Sequence, residues 1–244
     1  MTKRGVPMKI ALIGYGKMGK LLHSLCLESG YEVVSIIDYA GDEYPKNIDK
    51  NSLNGAEVAL EFTQPEGIVE RIKQLAKCGV NVIVGTSGWY DRLAEVEAIA
   101  LENKVGIMYS ANFSIGMNIF FQAVDYMSKL MASMEKYDLY AYEEHHNMKK
   151  DKPSGTANYI TAMIKKNDDN IAPEFKFEAI RAGKKPGTHV IGYDGDYDFI
   201  ELKHLARDRS AFVSGAVKSA QWIKGKTGFY NFSNYFKEIF GIDE

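Results

Sequence analysis

The stretch from Lys9 to Gly19 decides the fold, and it reads Lys-Ile-Ala-Leu-Ile-Gly-Tyr-Gly-Lys-Met-Gly. An apolar run of strand length ends in glycines spaced G-x-G-x-x-G, and a helical pattern then runs from Lys17 to Ser29. In such a turn Gly14 permits the tight bend, Gly16 lets the backbone approach a pyrophosphate, and Gly19 lets the helix pack against the strand. Free N–H groups at the helix start favour an anion there. The pattern predicts a dinucleotide site, and a strand–helix turn without a ligand is the alternative.

The second predicted strand ends at Asp38, nineteen residues after Gly19, near the spacing of a ribose-binding acid. A carboxylate there accepts hydrogen bonds from both ribose hydroxyls and repels a 2′-phosphate. Tyr39 follows where an arginine would favour that phosphate, although Lys17 offers a cation nearby. The residues therefore favour NADH and leave NADPH open. Together with Asp38, the cofactor-binding residues predicted from this turn are Gly14, Tyr15, Gly16, Lys17, Met18 and Gly19.

The rest of the first half alternates short apolar strands with helices, which predicts a parallel sheet covered on both faces. We predict strands at 9–14, 32–38, 58–62, 81–84 and 105–109, with helices at 17–29, 65–77 and 91–103. After residue 112 the strands lack regular helical crossovers, which predicts an α+β unit with an open mixed sheet. Its elements are helices at 116–134, 154–166, 210–224 and 231–240, and strands at 137–144, 175–181, 189–193 and 198–205. The fold class is therefore α/β, with a Rossmann-like nucleotide domain followed by an α+β domain.

Three polar segments follow predicted strands of the first half, at the edge where open α/β sheets bind ligands. They are Glu61–Pro65, Gly85–Gly88 and Ser110–Ser114. Each alone is as well explained by a polar turn. Three on one edge favour a shared crevice.

The segment from Glu144 to Ala157 carries the candidate chemistry. His145 and His146 are adjacent, so on a strand they point to opposite sides, and histidine is the usual general acid near neutral pH. Lys149 follows on a loop. The helix starting after Ser154 offers free N–H groups at Gly155 and Thr156 that suit a carboxylate. A solvated loop with an ordinary helix cap is the alternative, and the segment favours a reductase acting on a small carboxylate.

Composition narrows the function classes. The 244 residues carry a formal net charge of −2, so no global field attracts nucleic acid or an anionic membrane. The two cysteines, Cys26 and Cys78, are expected to be free thiols, and no apolar run reaches the ~20 residues of a membrane helix. The polar start at residues 1–7 is unlike a signal peptide, which predicts a cytoplasmic protein. No metal site is expected, because His23, His189 and His204 show no ligand spacing with the histidine pair.

In the segment from Glu144 to Ala157 and in several others, the chain resembles the 4-hydroxy-tetrahydrodipicolinate reductase family, also called dihydrodipicolinate reductase. The family pattern H-H-x-x-K-x-D-x-P-S-G-T-A matches His145–Ala157 throughout, and Asn112–Asn118 resembles N-F-S-x-G-x-N. Pro186–His189 and Gly215–Val217 also resemble family segments, and the likeness covers nearly the whole chain after Met8. Such enzymes use NADH or NADPH to reduce a small cyclic dicarboxylate in lysine and diaminopimelate biosynthesis.

The resemblance implies roles for individual residues. His145 would be the general acid/base, Lys149 a second proton donor, and His146, Gly155 and Thr156 would bind substrate carboxylates. The cofactor would also meet Gly85, Thr86, Ser87, Ser110, Ala111, Asn112 and Phe113. It further implies a dinucleotide domain at 1–111, to which 219–244 return, and a substrate and oligomerisation domain at 112–218 that assembles a homotetramer.

This chain departs from the family pattern at several places. Ser87 replaces a threonine, Glu61 stands where aspartate is common, and the glycine loop is one residue shorter with Lys17 in place of arginine. The segment from His189 to His204 is shorter than in many family members, so the sheet through which a tetramer would assemble is expected to differ in size. Two alternatives remain: another two-domain NAD(P)-dependent dehydrogenase of an amino-acid pathway, and a non-catalytic nucleotide sensor.

Overall fold

A computed structural model describes residues 6–241, which form two compact units. Unit 1 contains the described residues up to Ser114 together with those from Phe212 onward. Unit 2 is Ile115–Ala211. Within the described chain, no helix is both long enough and apolar enough to cross a membrane.

Unit 1 is built on a parallel sheet of six strands among the described residues. The strands are β1 (Lys9–Ile13), β2 (Glu32–Ile37), β3 (Val58–Glu61), β4 (Asn81–Val84), β5 (Gly106–Tyr109) and β10 (Gly228–Asn231). Their order across the sheet is β10-β5-β4-β3-β1-β2. The order reverses between β1 and β3, and such a switch point is where open α/β sheets bind ligands.

Helices connect these strands, and the sheet interior is apolar. They are α1 (Lys17–Glu28), α2 (Ile68–Lys77), α3 (Leu93–Asn103), α6 (Ala211–Ile223, which starts at the last residue of unit 2) and α7 (Phe232–Phe240). Strands β3 and β4 are buried at every position, as expected for a sheet covered on both faces. Cys26 is a buried free thiol on α1, whereas Cys78 is only half-buried, because it lies just past the end of α2.

Strand β10 is absent from the sequence-based assignment, which placed only helices in the tail. Its four residues, Gly228–Asn231, pair in parallel with β5 at the edge of the sheet. Asn81 of β4 ties the connection between α6 and β10 to the sheet interior. Its side-chain Nδ2 donates to Ile223 O at 2.6 Å and to Lys226 O at 2.9 Å.

Replacing Asn81 with alanine is expected to destabilise the protein. Asn81 is buried, and its loss leaves Lys226 O without this donor and Ile223 O with only the Lys226 backbone N–H, which costs about 1–3 kcal/mol. Thermal unfolding should show Tm several degrees lower. Asn103→Ala is the matched control, because Asn103 makes one local bond to Ile99 O at the end of α3. Equal Tm shifts in the two variants would contradict the role of Asn81.

Unit 2 is an open mixed sheet packed against two helices. Strands β6 (Tyr137–His145), β7 (Glu178–Arg181), β8 (Thr188–Gly195) and β9 (Phe199–Leu205) lie in the order β7-β6-β8-β9. β6 runs parallel to β7 and antiparallel to β8. Helices α4 (Ile115–Met131) and α5 (Gly155–Asn167) pack on the sheet through Phe120, Val124, Ile160 and Ile164. The predicted fold class, a Rossmann-like parallel sheet plus an α+β unit with an open mixed sheet, is confirmed.

Candidate active site

The glycine turn of unit 1 lies at the point where the strand order reverses. Gly14 has φ of 92°, and a Cβ placed on it would lie 2.6 Å from Phe62 O, in the segment after β3. A Cβ on Gly19 would lie 2.1 Å from Gly14 O. Both positions therefore require glycine for the packing of the turn itself.

Gly16 differs from the other two glycines of the turn. A Cβ on it would meet no atom within 4 Å, and its φ of −72° suits any residue. It is the N-cap of α1, which has no side-chain cap and no acidic residue in its first turn. The structure therefore leaves open space in front of uncapped N–H groups, and these fit the pyrophosphate of a dinucleotide.

Asp38 follows β2, and its Oδ1 accepts a hydrogen bond from the backbone N–H of Tyr39 at 2.9 Å. The sequence reasoning missed Arg71, a residue of α2 whose guanidinium carbon lies 5.5 Å from the Tyr39 ring centroid. Arg71 already pairs with the buried Glu61 at 3.1 Å and donates to Glu66 O at 2.6 Å. Its charge is thus engaged inside unit 1.

The other cofactor-binding residues expected from the resemblance follow β4 and β5. A Cβ on Gly85 would lie 2.1 Å from the Phe62 ring, and buried Trp89 donates to Thr86 O at 2.7 Å. Ser87 and Ala111 are exposed, while the turn from Ser110 to Ser114 is tied by its own side chains. The Phe113 ring is buried against Phe232 in the core, so its side chain serves packing.

In unit 2 the candidate catalytic residue His145 lies at the end of β6, close to the buried Glu143. Glu143 and His145 are two residues apart and share one face of the strand. The antiparallel register with β8 places His189 opposite Glu143. Arg181 ends β7, beside the end of β6.

Glu143 is completely buried and is the centre of this cluster. Its Oε1 accepts from the Ser154 backbone N–H at 2.9 Å and from Arg181 Nη2 at 2.6 Å. Its Oε2 accepts from the Ser154 hydroxyl and lies 3.4 Å from His189 Nε2. Burial would raise the pKa of this carboxyl, but the hydrogen bonds from His189, Ser154 and Arg181 outweigh it and hold the pKa far below its usual range.

His145 is only 6 % exposed, and its Nδ1 lies 3.5 Å from Glu143 Oε2. Burial lowers the pKa of the His145 imidazole to about 4, although the Glu143 charge works in the opposite direction. A Cβ on Gly187 would lie 2.9 Å from His145 Nε2. The absence of a side chain at Gly187 therefore lets the imidazole of His145 lie close to the Gly187 backbone.

His146 and Lys149 lie on the loop after β6. The His146 backbone N–H donates to Lys185 O at 2.9 Å, and Lys149 N–H donates to His146 O at 3.1 Å. The Lys149 ammonium pairs with Asp151 Oδ2 at 2.8 Å. Hydrogen bonds from Lys149 and from the backbone N–H of Gly155 help to hold the pKa of Asp151 below its usual value. The Asp151 carboxylate therefore contacts Lys149, which is predicted to donate a proton, and Gly155, which is predicted to bind a substrate carboxylate.

The start of α5 is held by Ser154, whose Oγ accepts from Ala157 N–H at 3.2 Å. Gly155 is exposed and Thr156 half-buried in the first turn. The structure thus places His145, His146, Lys149, Gly155 and Thr156 on one β-strand end, loop and helix start within unit 2.

Sequence reasoning missed Glu143, Arg181 and His189 as parts of this cluster. Ligand spacing along the sequence did not indicate that His189 lies near His145. The register of β6 with β8, rather than distance along the sequence, brings the two histidines together. Ligand atoms of Glu143, His145 and His189 lie within 4.8 Å of one another. Arg181 already neutralises this carboxylate at 2.6 Å, which disfavours a cation at the same atoms.

The sequence matches two family models along almost its whole length. The model described as dihydrodipicolinate reductase, N-terminus, matches residues 8–113, and the model of the C-terminus matches residues 116–236. A protein of Christiangramia forsetii named 4-hydroxy-tetrahydrodipicolinate reductase is 31 % identical, with 96 % of this chain and 99 % of the relative covered. A protein of the same name from Methanocaldococcus jannaschii is 33 % identical, with 90 % of this chain and 78 % of the relative covered.

Among solved structures, the fold is similar to that of a dihydrodipicolinate reductase from a Paenisporosarcina species with dipicolinate bound. The TM-score is 0.76 at 22 % identity, and the match covers 94 % of this chain and 99 % of that one. At this identity the likeness concerns the fold.

Proposed function

The chain belongs to the dihydrodipicolinate reductase family and is an NAD(P)H-dependent oxidoreductase of lysine and diaminopimelate biosynthesis; we propose that His145 supplies the proton when the substrate is reduced. The substrate is 4-hydroxy-tetrahydrodipicolinate (dihydrodipicolinate) and the product tetrahydrodipicolinate. The single observation that carries the assignment is the buried His145, whose Nδ1 lies 3.5 Å from the ionised Glu143 and whose Nε2 lies at the opposite side of the ring, next to Gly187.

The reduced nicotinamide, when bound, supplies the hydride. Loss of the 4-hydroxyl group as water gives the dihydrodipicolinate ring, which accepts the hydride and needs one proton to complete the reduction. His145 delivers that proton from Nε2, and a positioned donor at this point lowers the barrier to charge development on the ring. Burial lowers the pKa of the His145 imidazole to about 4 in the free protein, so the negative charges of the bound substrate must raise that pKa before the ring can hold and donate the proton.

The two substrate carboxylates are held by cations and N–H groups of unit 2. Lys149 and the N–H groups of Gly155 and Thr156 bind one carboxylate, and His146 contributes at the rim. An incoming carboxylate takes the place of Asp151 at Lys149 and Gly155, so these groups are already arranged for an anion. Lys149 also serves as the second proton donor.

The test is NADH oxidation by the purified protein with freshly generated dihydrodipicolinate. Aspartate semialdehyde and oxaloacetate serve as competing substrates. Turnover confined to dihydrodipicolinate supports the proposal. Preference for another substrate would indicate a different dehydrogenase, and NADH binding without turnover on any of them would indicate a nucleotide sensor.

For the cofactor we propose that NADH is used at least as well as NADPH. Asp38 directly follows β2, where its carboxylate would repel a 2′-phosphate, and Arg71 is engaged with Glu61. The kcat/KM for NADPH should therefore not exceed that for NADH by more than about tenfold, a difference of 1.4 kcal/mol. In Asp38→Ala the ratio should move toward NADPH. A strong NADPH preference in the natural protein would show that Lys17 outweighs Asp38.

We assign residues 1–111 and 219–244 to the dinucleotide domain and 112–218 to substrate binding and oligomerisation. Residues 1–5 and 242–244 lie outside the described chain. A homotetramer is supported by the edge strand β9, where Phe199, Ile200 and Leu205 are exposed apolar side chains. Sedimentation of the purified protein tests that assembly. We also expect a cytoplasmic location, no resident metal ion, and no nucleic-acid or membrane partner.

A further inference from the structure

We propose that Glu143 is the positioning residue of the site: its carboxylate holds the His145 ring with Nδ1 toward Glu143 and Nε2 toward the substrate, and the same carboxylate fixes the start of α5. This rests on the proposed role of His145 as proton donor. Glu143 itself would not touch the substrate, since it is completely buried.

The contacts of Glu143 join two elements to β6, namely β7 and the start of α5. Oε1 holds Arg181 of β7 and the backbone N–H of Ser154, and Oε2 holds the Ser154 hydroxyl. The same hydroxyl accepts from Ala157 N–H and so begins α5. Arg181 reaches further, and its Nη2 donates to Asp151 O at 2.5 Å. One carboxylate therefore sets the distance between His145 and the loop and helix start that would bind the substrate.

The His145 ring has one charged acceptor within reach of its inner nitrogen. Nδ1 is buried and makes no hydrogen bond among the described residues, and Glu143 Oε2 lies 3.5 Å away. Contacts of this kind are often long without substrate and shorten in the complex. A proton on Nδ1 that points at Glu143 leaves Nε2 as the nitrogen that accepts and then donates the catalytic proton. This is the arrangement in which an acid orients a histidine.

The charged and titratable groups facing His145 come from every side of the cluster. They are Glu143 on β6, His189 on β8, Arg181 on β7 and Lys149 on the following loop. Among these, only Glu143 stabilises the imidazolium, because the other three carry or gain positive charge. Loss of the Glu143 charge should therefore make protonation of His145 harder.

The first experiment compares Glu143→Gln with Glu144→Gln. Glutamine keeps the size of the side chain and removes its charge, and Glu144 is a matched control because it pairs with exposed Lys185 on the opposite face of the strand. We expect Glu143→Gln to lower kcat at least tenfold with KM for NADH unchanged. The limb of the kcat profile that reports the acid form of His145 should move to lower pH by roughly one unit or more. Glu144→Gln should behave as the natural protein.

A fall in kcat without any shift of that limb would indicate a merely structural role and would overturn the proposal. So would a Glu143→Gln protein with normal kcat. Circular dichroism and the KM for NADH establish that the variant is folded.

A second measurement needs no variant and so holds even if Glu143→Gln does not fold. Nitrogen-15 NMR of histidine-labelled natural protein near neutral pH reports which ring nitrogen of His145 carries the proton. We expect the Nδ1–H form with Nε2 unprotonated, and the Nε2–H form would overturn the proposal. The measurement uses no substrate. If the natural protein failed to reduce dihydrodipicolinate, the proposed function would fail while the tautomer would still decide the role of Glu143.

Discussion

Replacing His145 with glutamine is expected to lower kcat by about 10²–10⁴-fold, the usual contribution of a positioned general acid. The affinity for NADH should stay nearly unchanged, because the glycine turn that we assign to the cofactor belongs to unit 1 and His145 to unit 2. Steady-state kinetics with NADH and dihydrodipicolinate measure the first quantity, and NADH titration without substrate measures the second. A loss in kcat and kcat/KM together indicates an interaction made in the transition state.

Variants of two neighbouring residues separate the proton-donating role of His145 from substrate binding. Lys149→Ala should lower kcat and also weaken substrate binding. The Lys149 ammonium pairs with the Asp151 carboxylate in the structure, and in the complex it would pair with a substrate carboxylate instead. His146→Ala should act mainly on the KM for substrate. Near-normal kcat in His145→Gln with loss in His146→Ala would mean that the two histidines have exchanged roles. If neither matters, the segment is not the active site.

The pH dependence of the natural enzyme follows from the buried position of His145. Its pKa is lowered from the ordinary value near 6.5 to about 4, so the ring is neutral at pH 7 in the free protein. If the acid form is required, kcat/KM should rise as the pH falls toward that pKa, since kcat/KM reports the free enzyme. Bound dicarboxylate adds negative charge and raises the pKa of the ring. The corresponding limb of kcat should therefore lie at higher pH than that of kcat/KM.

Much of unit 1 could be predicted because each element satisfies its own local rule. The apolar run before Gly14 forms β1, and the strand predicted at 81–84 is Asn81–Val84 in the structure. β10 could not be predicted in this way, because its four residues are too few to show a period and its pairing with β5 is a tertiary contact. The helix predicted from Pro65 begins only at Ile68, because Gly67 adopts a left-handed conformation with φ of 72°.

The candidate site shows the same limit of sequence-based prediction: residues that only strand pairing brings together cannot be recognised as one cluster. His145, Lys149 and Ser154 lie within ten residues and are visible as a motif, whereas Arg181 and His189 reach the cluster only through the pairing of β6 with β7 and β8. One signal was available from the sequence. Glu143 lies two residues before His145, and the period of a strand places both on one face. An acid that shares a face with a catalytic histidine predicts an orienting partner.

Replacing Gly16 with valine is expected to abolish useful cofactor binding while leaving the protein folded. The φ of Gly16 is −72°, and a Cβ there meets no protein atom within 4 Å, so a side chain can leave the backbone at this position without a clash at its first atom. The space it fills lies in front of the uncapped start of α1, where the pyrophosphate is expected. The KM and Kd for NADH should rise by about 10²-fold or more, a loss of roughly 3 kcal/mol.

The graded control is Gly16→Ala, whose single methyl group should weaken NADH binding less than valine. Both variants should keep Tm within a few degrees of the natural protein, because valine at an N-cap costs only about 1 kcal/mol relative to good capping residues. A Cβ on Gly19 would instead collide with Gly14 O at 2.1 Å, so Gly19→Val should unfold unit 1 rather than act on the ligand. A folded Gly16→Val protein with the NADH affinity of the natural enzyme would place the cofactor elsewhere, because no bound pyrophosphate could then contact the α1 N-terminus.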